Sequence, residues 1–210
     1  MIQTQHYKLA ELSDTELTEL AQALTRGAIA AVATDTVYGL ATGAFCETSL
    51  NRICALKNRP LTQPFQLLLP DVQTAFKLAE FSPAAARLAH TYWPGALTLI
   101  LPPAEAGKPL LRGANGLGLR VPAFKPLERL LAAANGPLAC TSANVHGQPV
   151  LTQEAELIRQ FNGAVEFLLT AGTLSPVASS IVDFTQQPPQ LLREGKITKI
   201  ELARISGISF

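Results

Sequence analysis

Little of this 210-residue chain is charged: Asp, Glu, Lys and Arg make up 16%, against about 25% in ordinary globular proteins. With 48% apolar residues and a formal charge of +1, the composition excludes a disordered chain and calls for a large buried core. Aromatics are sparse at 6%, which leaves few rings for stacking nucleic-acid bases. The three cysteines, Cys46, Cys54 and Cys140, are odd in number and lack C-x-x-C spacing, which excludes a disulfide framework and a zinc site. No apolar run reaches the length of about 18 residues that spans a bilayer; the best candidate, Leu88 to Pro103, is broken by Pro94 and Gly95. The first residues, Met1 to Leu12, hold no apolar core of signal-peptide length. Glycine and proline, 14 and 15 residues, are scattered without a period, which excludes collagen-like and linker architectures. A cytoplasmic globular protein with no membrane segment is expected, and the length suits one large domain.

The charge that is present is uneven. The stretch from Arg52 to Arg129 holds ten of the 17 Lys/Arg but four of the 16 Asp/Glu. A basic centre in a nearly neutral chain raises the local concentration of anions and points to an anionic ligand. Scatter over solvated faces fits the composition equally well.

Apolar periodicity alternates between helix and strand types. Ser13-Asp14-Thr15-Glu16 reads as a capping box, Leu17, Leu20, Ala21 and Leu24 share a helical face, and Gly27 is the stop. Ala28 to Ala33 has buried-strand length. A second helix from near Thr48 turns Leu50, Ile53 and Cys54 inward and ends before Pro60. Asp71 and Ser82-Pro83 read as two further helix starts. Helices are also expected near Pro126–Ala134, Thr152–Phe161 and Thr198–Ile205. Further strands are expected at Phe65–Leu69, Leu97–Leu101, Leu117–Val121, Leu138–Thr141, Val165–Leu169 and Ser180–Phe184. About seven strands interleaved with helices predict an open α/β sheet covered by helices.

Familiar phosphate loops are missing. Gly107-Lys108 runs into Pro109 and cannot form a Walker loop. Gly113, Gly116 and Gly118 precede a strand, whereas a dinucleotide loop follows one. Four polar segments lie beside apolar strands instead. Thr34 to Leu40 puts hydroxyls, Asp35 and Gly39 after the first strand, where α/β sheets bind ligands; a turn closed by Asp35 and Thr36 is the plainer reading. Lys57-Asn58-Arg59-Pro60 sets two cations at a helix end, where they complement the dipole or grip a polyphosphate. Thr141-Ser142-Ala143-Asn144, with Gly147 and Pro149, offers compact donors and acceptors. No G-x-S-x-G elbow surrounds Ser142, so a nucleophile with His146 as base has little support. Cys140 reads as a small core residue, and His6 and His90 lack ligand spacing. Arg193-Glu194-Gly195 follows the last strand, and Trp93-Pro94-Gly95 reads as a helix stop.

Together these segments resemble the YrdC-domain family of threonylcarbamoyl-AMP synthases over almost the whole chain. The matching stretches, in family order, are Thr34–Leu40, Lys57-x-Arg59-Pro60, Trp93-Pro94-Gly95-x-Leu97-Thr98 and Arg120-x-Pro122. Thr141-Ser142-Ala143-Asn144 with Gly147-x-Pro149, then Ser179-Ser180-x-Val182-Asp183, then Arg193-x-Gly195 complete the series. The resemblance implies a single YrdC-like domain over residues 1–210, a twisted open sheet with a basic concave face. It implies that L-threonine, bicarbonate and ATP give threonylcarbamoyl-AMP and pyrophosphate, for downstream proteins that modify the adenosine beside certain tRNA anticodons. It further implies L-threonine contacts from Thr36, Arg120, Thr141 and Ser180. ATP contacts would come from Lys57, Arg59, Gln63, Ser142, Asn144 and Arg193, with Lys57 and Arg59 also catalytic. Mg²⁺ would be held mainly by ATP, without a metal site of the protein's own.

Such a reaction needs no acid–base pair, because fixed cations and Mg²⁺ would offset the repulsion between a carbamate oxygen and the α-phosphate. The chain departs from the family pattern at Ala33, for a usual proline, and at Gln63, for a frequent lysine. It also departs at Phe65, for leucine, at Ser180, for threonine, and at Leu68, a histidine in some members. The competing expectation is a non-catalytic member that binds double-stranded RNA or tRNA by the basic face, with steep salt dependence. A carbamoyl-transferring relative would need further domains.

Overall fold

The computed structural model describes residues 2–60 and 62–210. Strand β1 (Gln5–Lys8) leads through a 3-10 turn to α1 (Asp14–Thr25), β2 (Ala30–Val32), β3 (Gly39–Gly43), α2 (Glu47–Lys57) and β4 (Gln66–Leu68). Then come α3 (Val72–Leu78), α4 (Pro83–Tyr92), β5 (Leu97–Leu101), a 3-10 segment (Glu105–Leu110), β6 (Leu117–Arg120) and α5 (Lys125–Ala134). The chain ends with β7 (Leu138–Ser142), α6 (Glu154–Phe161), β8 (Phe167–Thr170), β9 (Ser180–Asp183), β10 (Gln190–Arg193) and α7 (Lys199–Ser206). Both expected capping boxes form, Ser13 with Glu16 and Thr198 with Glu201, and each satisfies helix N–H groups that would otherwise lack partners.

All ten strands join one mixed sheet in the order β1-β8-β2-β3-β7-β4-β6-β5-β9-β10. The expectation of about seven strands is therefore too low, and the three extra ones share a cause. Strands β1 and β10 are the sheet's two edges; their residues are mostly exposed, so they carry no apolar run to read. Strand β3, Gly-Leu-Ala-Thr-Gly, is fully buried, but glycine at both ends reads as loop. No helix among the described residues is long and apolar enough to cross a membrane.

Helices cover both faces. Ala30 and Val32 of β2 pack with α1 and α5, whereas Ile29, Ala31 and Ala33 pack with Leu157 and Phe161 of α6 and Ile53 of α2. Alternate residues of a strand point to opposite faces, so a strand covered on both sides reads as an unbroken apolar run. A third cluster packs α3, α4 and α7 on β5, β6 and β9. Gly39 lets β3 lie against β7: a Cβ there would stand 2.5 Å from the Cys140 Sγ and 3.2 Å from the Thr141 carbonyl.

Gly39→Ala should therefore lower unfolding free energy by about 1–3 kcal/mol through overpacking. Adding Cys140→Ala, which removes the nearest clashing atom, should recover more than half of the loss in a urea-unfolding double-mutant cycle. Strict additivity of the two substitutions would contradict this packing.

Candidate functional site

A cavity of about 210 Å³ opens on the sheet, lined by residues from six strands and their loops. Gln66 and Leu68, two apart on β4, share one face and form its floor with Cys140 of β7. Leu68 and Cys140 also belong to the core under α1 and α5, so the pocket lies where that helical cover stops. Two arginines, Arg120 and Arg193, line it together with the hydroxyls of Thr34, Thr36, Thr141, Ser142 and Ser179; among the described residues no carboxylate does.

Arg120 ends β6 and is 4% exposed. Its guanidinium is fixed on three sides: Nη2 donates to Asp35 Oδ1 at 2.6 Å, Nη1 to Thr36 Oγ1 at 3.0 Å and Nε to the Gly95 carbonyl at 3.1 Å. Gly95 can come this close only without a side chain, because a Cβ would lie 2.3 Å from the Tyr92 carbonyl. Thr34 shapes the turn that presents these partners. Its hydroxyl donates to the Val37 carbonyl at 2.7 Å and accepts from the Thr36 N–H at 3.1 Å. The turn expected of Asp35 and Thr36 is thus closed by Thr34, which frees both to meet Arg120.

Lys57 and Arg59 flank Asn58, whose left-handed backbone, φ 51°, ends α2. Both side chains are buried, 3% and 8% exposed, and neither has a carboxylate within ion-pair distance among the described residues. The Lys57 ammonium donates to the carbonyls of Ser142 and Asn144, the latter at 2.6 Å, and to Asn144 Oδ1 at 3.2 Å. Arg59 donates through Nη1 to Thr141 Oγ1 at 2.9 Å and through Nη2 to the carbonyls of Gln63 and Pro64. Its guanidinium carbon sits 4.4 Å from the centre of the Phe65 ring, so the unusual phenylalanine supplies a cation–π face. Arg59 Nε is buried without a partner. Burial, then the positive Arg59, pushes the Lys57 amine down to about 8, and burial also lowers Arg59. Burial holds the Cys140 thiol up at about 12, so it stays neutral and is no nucleophile.

Thus Thr36, Arg120, Thr141, Ser142 and Arg193 reach the cavity wall, while the other five named residues do not. Lys57, Arg59 and Asn144 stand behind it, the Asn144 amide being turned to the Val145 and Gln148 carbonyls. Gln63 is exposed, and its contribution to Arg59 is a backbone carbonyl. Ser180, expected to touch threonine, is fully buried. Its hydroxyl donates to the Ile197 carbonyl at 2.6 Å and accepts the N–H groups of Gly195 and Ile197. The pocket hydroxyl is its neighbour Ser179, which accepts from Arg193 Nη2 at 3.0 Å and bonds Thr98 Oγ1 at 2.9 Å. Ser179, just before β9, and Ser180, its first residue, turn their hydroxyls to different sides of the chain. Gln66 was the other omission, and its sign was a polar residue inside the apolar run Phe65–Leu69.

The Lys57 amine is expected to titrate near pH 8 by side-chain nitrogen NMR, well under its ordinary 10.5. Between those values the unfolded chain holds a proton that the folded protein lacks, so this group's contribution to stability grows as pH rises. Lys57→Met should lack that rise in urea unfolding. A wild-type amine titrating near 10.5 would mean that it is solvated.

Comparisons with known proteins identify the family and the fold. A model of the Sua5/YciO/YrdC family, described as telomere recombination, matches residues 22–195. A threonylcarbamoyl-AMP synthase of Pyrococcus abyssi is 33% identical over 187 residues, 88% of this chain and 55% of its own length. A Mycobacterium leprae protein named putative threonylcarbamoyl-AMP synthase is 33% identical over 89% of this chain and 86% of its own length. The chain therefore spans about half of the Pyrococcus relative and most of the mycobacterial one. The crystal structure of P. abyssi Sua5 complexed with L-threonine superimposes with a TM-score of 0.84 at 29% identity, covering 98% of this chain and 60% of that one. E. coli YciO shares the fold, with a TM-score of 0.83 at 23% identity over 93% of this chain and 97% of that one. From the turn after β2 to the strap after β10, the residues that build the pocket fall within the matched span, and the chain belongs to the Sua5/YciO/YrdC family.

Proposed function

We propose that this protein is a threonylcarbamoyl-AMP synthase, joining L-threonine, bicarbonate and ATP into threonylcarbamoyl-AMP with release of pyrophosphate and of the water lost as amine and bicarbonate form the carbamate. The observation that carries the reading is the unbalanced positive charge around the cavity. Arg193 lines it, Lys57 and Arg59 stand behind it without an ion pair, and no carboxylate faces it among the described residues. Burying an unpaired charge is unfavourable, and an anionic ligand offsets that cost. The relatives are named for the product, threonylcarbamoyl-AMP, itself an anion, and that name supports the reading.

The volume divides the substrates. A cavity of about 210 Å³ is smaller than the roughly 300–1,000 Å³ of most ligand sites, which suits an amino acid and leaves the nucleotide at the open mouth. L-Threonine would lie by Arg120, Thr36 and Thr141, its methyl towards Val37, Leu68 and Ile181. ATP would lie along Ser142 and Arg193, with Arg59 behind, over the basic concave face of the sheet. In the step itself a carbamate oxygen forms a bond to the α-phosphorus and the bond to the leaving pyrophosphate breaks. Fixed guanidinium groups would stabilise charge that develops on both sides of that phosphorus. Among the described residues no three His, Cys, Asp or Glu side chains gather; Mg²⁺ would arrive on the triphosphate and neutralise phosphate oxygens. The product would pass to proteins that modify tRNA.

Purified protein should release pyrophosphate from ATP and Mg²⁺ only when both L-threonine and bicarbonate are present. ATP turnover that ignores either would sink the reading. Thr36→Val keeps the side-chain shape but removes the hydroxyl, and should raise the KM for threonine about 10-fold while that for ATP stays within about 2-fold. Ser180→Ala strands the Gly195 and Ile197 N–H groups and should cost about 1–3 kcal/mol of stability. Ser179→Ala leaves Thr98 Oγ1 and Arg193 Nη2 without their partner and should also cost stability, but it should in addition lower kcat/KM, which Ser180→Ala should not. Urea unfolding beside steady-state kinetics separates the two serines.

A further inference from the structure

We propose that Lys57 is a positioning residue, which shapes the Ser142–His146 loop for the nucleotide and touches no phosphate itself. The inference rests on the reading of the site as nucleotide-binding. An ammonium has three donors, and here three oxygens take them: the Ser142 carbonyl, the Asn144 carbonyl and Asn144 Oδ1. The connection runs both ways, since the His146 N–H donates to the Lys57 carbonyl at 2.7 Å. The loop is further tied by the Ala143 N–H on the Tyr38 carbonyl at 2.7 Å and by the Asn144 amide on Val145 and Gln148. Arg59 completes the bracket by holding Thr141. Together the two cations fix Thr141 and Ser142, whose side chains line the cavity, while the Lys57 amine itself does not line it.

Burial of the amine, then the neighbouring Arg59, makes the bracket sensitive to pH. The groups that act on the amine are Arg59, Cys140 of β7 and Cys54, one turn earlier on α2, and it loses its proton near pH 8. A neutral amine has two N–H groups for three oxygens, so one acceptor goes unmet, but the cost of burying the charge is gone, and the closed loop is favoured over an open one that must bind a proton.

Direct phosphate contact and positioning differ in the protein without ligand. In ligand-free Lys57→Met, hydrogen exchange at the Ala143 and His146 amides should rise about 10-fold or more above wild type. MgATP affinity should fall by about 10- to 100-fold, with its dependence on salt unchanged. Lys57→Arg keeps the charge, and its fork suits a phosphate well. A planar guanidinium cannot set three donors from one nitrogen onto three converging oxygens, so this variant should bind MgATP as weakly as Lys57→Met. Full affinity in Lys57→Arg, a reduced salt slope in Lys57→Met, or wild-type exchange in the ligand-free variant would each overturn the proposal. If both variants unfold, the wild type decides. Opening the loop returns the amine to water, where it holds a proton up to about 10.5. Between about pH 8 and that value, loop exchange relative to the intrinsic chemical rate should therefore fall as the pH rises, and a loop that ignores the change refutes the assignment. The ligand-free exchange does not depend on the reaction, whereas threonine-dependent pyrophosphate release by wild type does, so failure of the site reading is told apart from failure of this one.

Discussion

Lys57 and Arg59 leave the end of α2 on either side of Asn58 and bind the last residues of β7 from behind. The two cations come to the same small volume because the helix ends there in a left-handed turn and the proline that follows cannot continue it. Like charges so close, and so deeply buried, repel each other and lose hydration. What holds them is a set of neutral oxygens, mainly backbone carbonyls, which satisfy the donors without cancelling the charge. The loop's conformation and the field in the pocket therefore have one origin. Replacing those oxygens by carboxylates would fix the same loop and abolish the field.

Arg120 stands in contrast. Asp35 neutralises it at 2.6 Å, so it contributes direction more than net field. Its three partners come from the turn after β2 and from Gly95, two segments far apart in sequence, and they leave the guanidinium with a single orientation. In the proposed reaction a planar donor held in this way would read the geometry of a carboxylate, whereas Arg193, Arg59 and Lys57 would supply charge. Recognition and charge stabilisation would then fall to different cations.

How much of this was legible in the sequence depended on whether the signal was local. The two capping boxes, the stop at Gly27 and the apolar runs of β2 and β5 are local and were readable. Strands β1 and β10 are defined by what pairs with them, since their own residues are polar and exposed. Strand β3 was hidden by its glycines, which mark a loop in isolation and a close approach to Cys140 in the fold. The site followed the same division. Lys57 and Arg59 were legible as a cationic pair at a helix end, but the residues they hold at the pocket, Thr141, Ser142 and Asn144, lie more than 80 residues away. Whether they face the pocket or stand behind it is a tertiary fact. Ser179, just before β9, and Ser180, its first residue, differ in the side of the chain on which the hydroxyl lies, which a two-residue motif does not encode.

Among the described residues that line the pocket there is no histidine, aspartate or glutamate to form an acid–base pair. Its cysteine is held neutral by burial, and the one histidine of the loop, His146, is not among the residues that line the cavity. In the proposed reaction the attacking carbamate is already an anion and the leaving pyrophosphate needs no proton delivered at the bond. The demand is for two anions to be brought together against their repulsion. Fixed cations meet that demand only if they cannot relax away as the charge shifts. Burial of Lys57 and Arg59, unfavourable by itself, is what prevents such relaxation. Rigidity at the end of β7 is therefore a condition of the chemistry as much as of the fold.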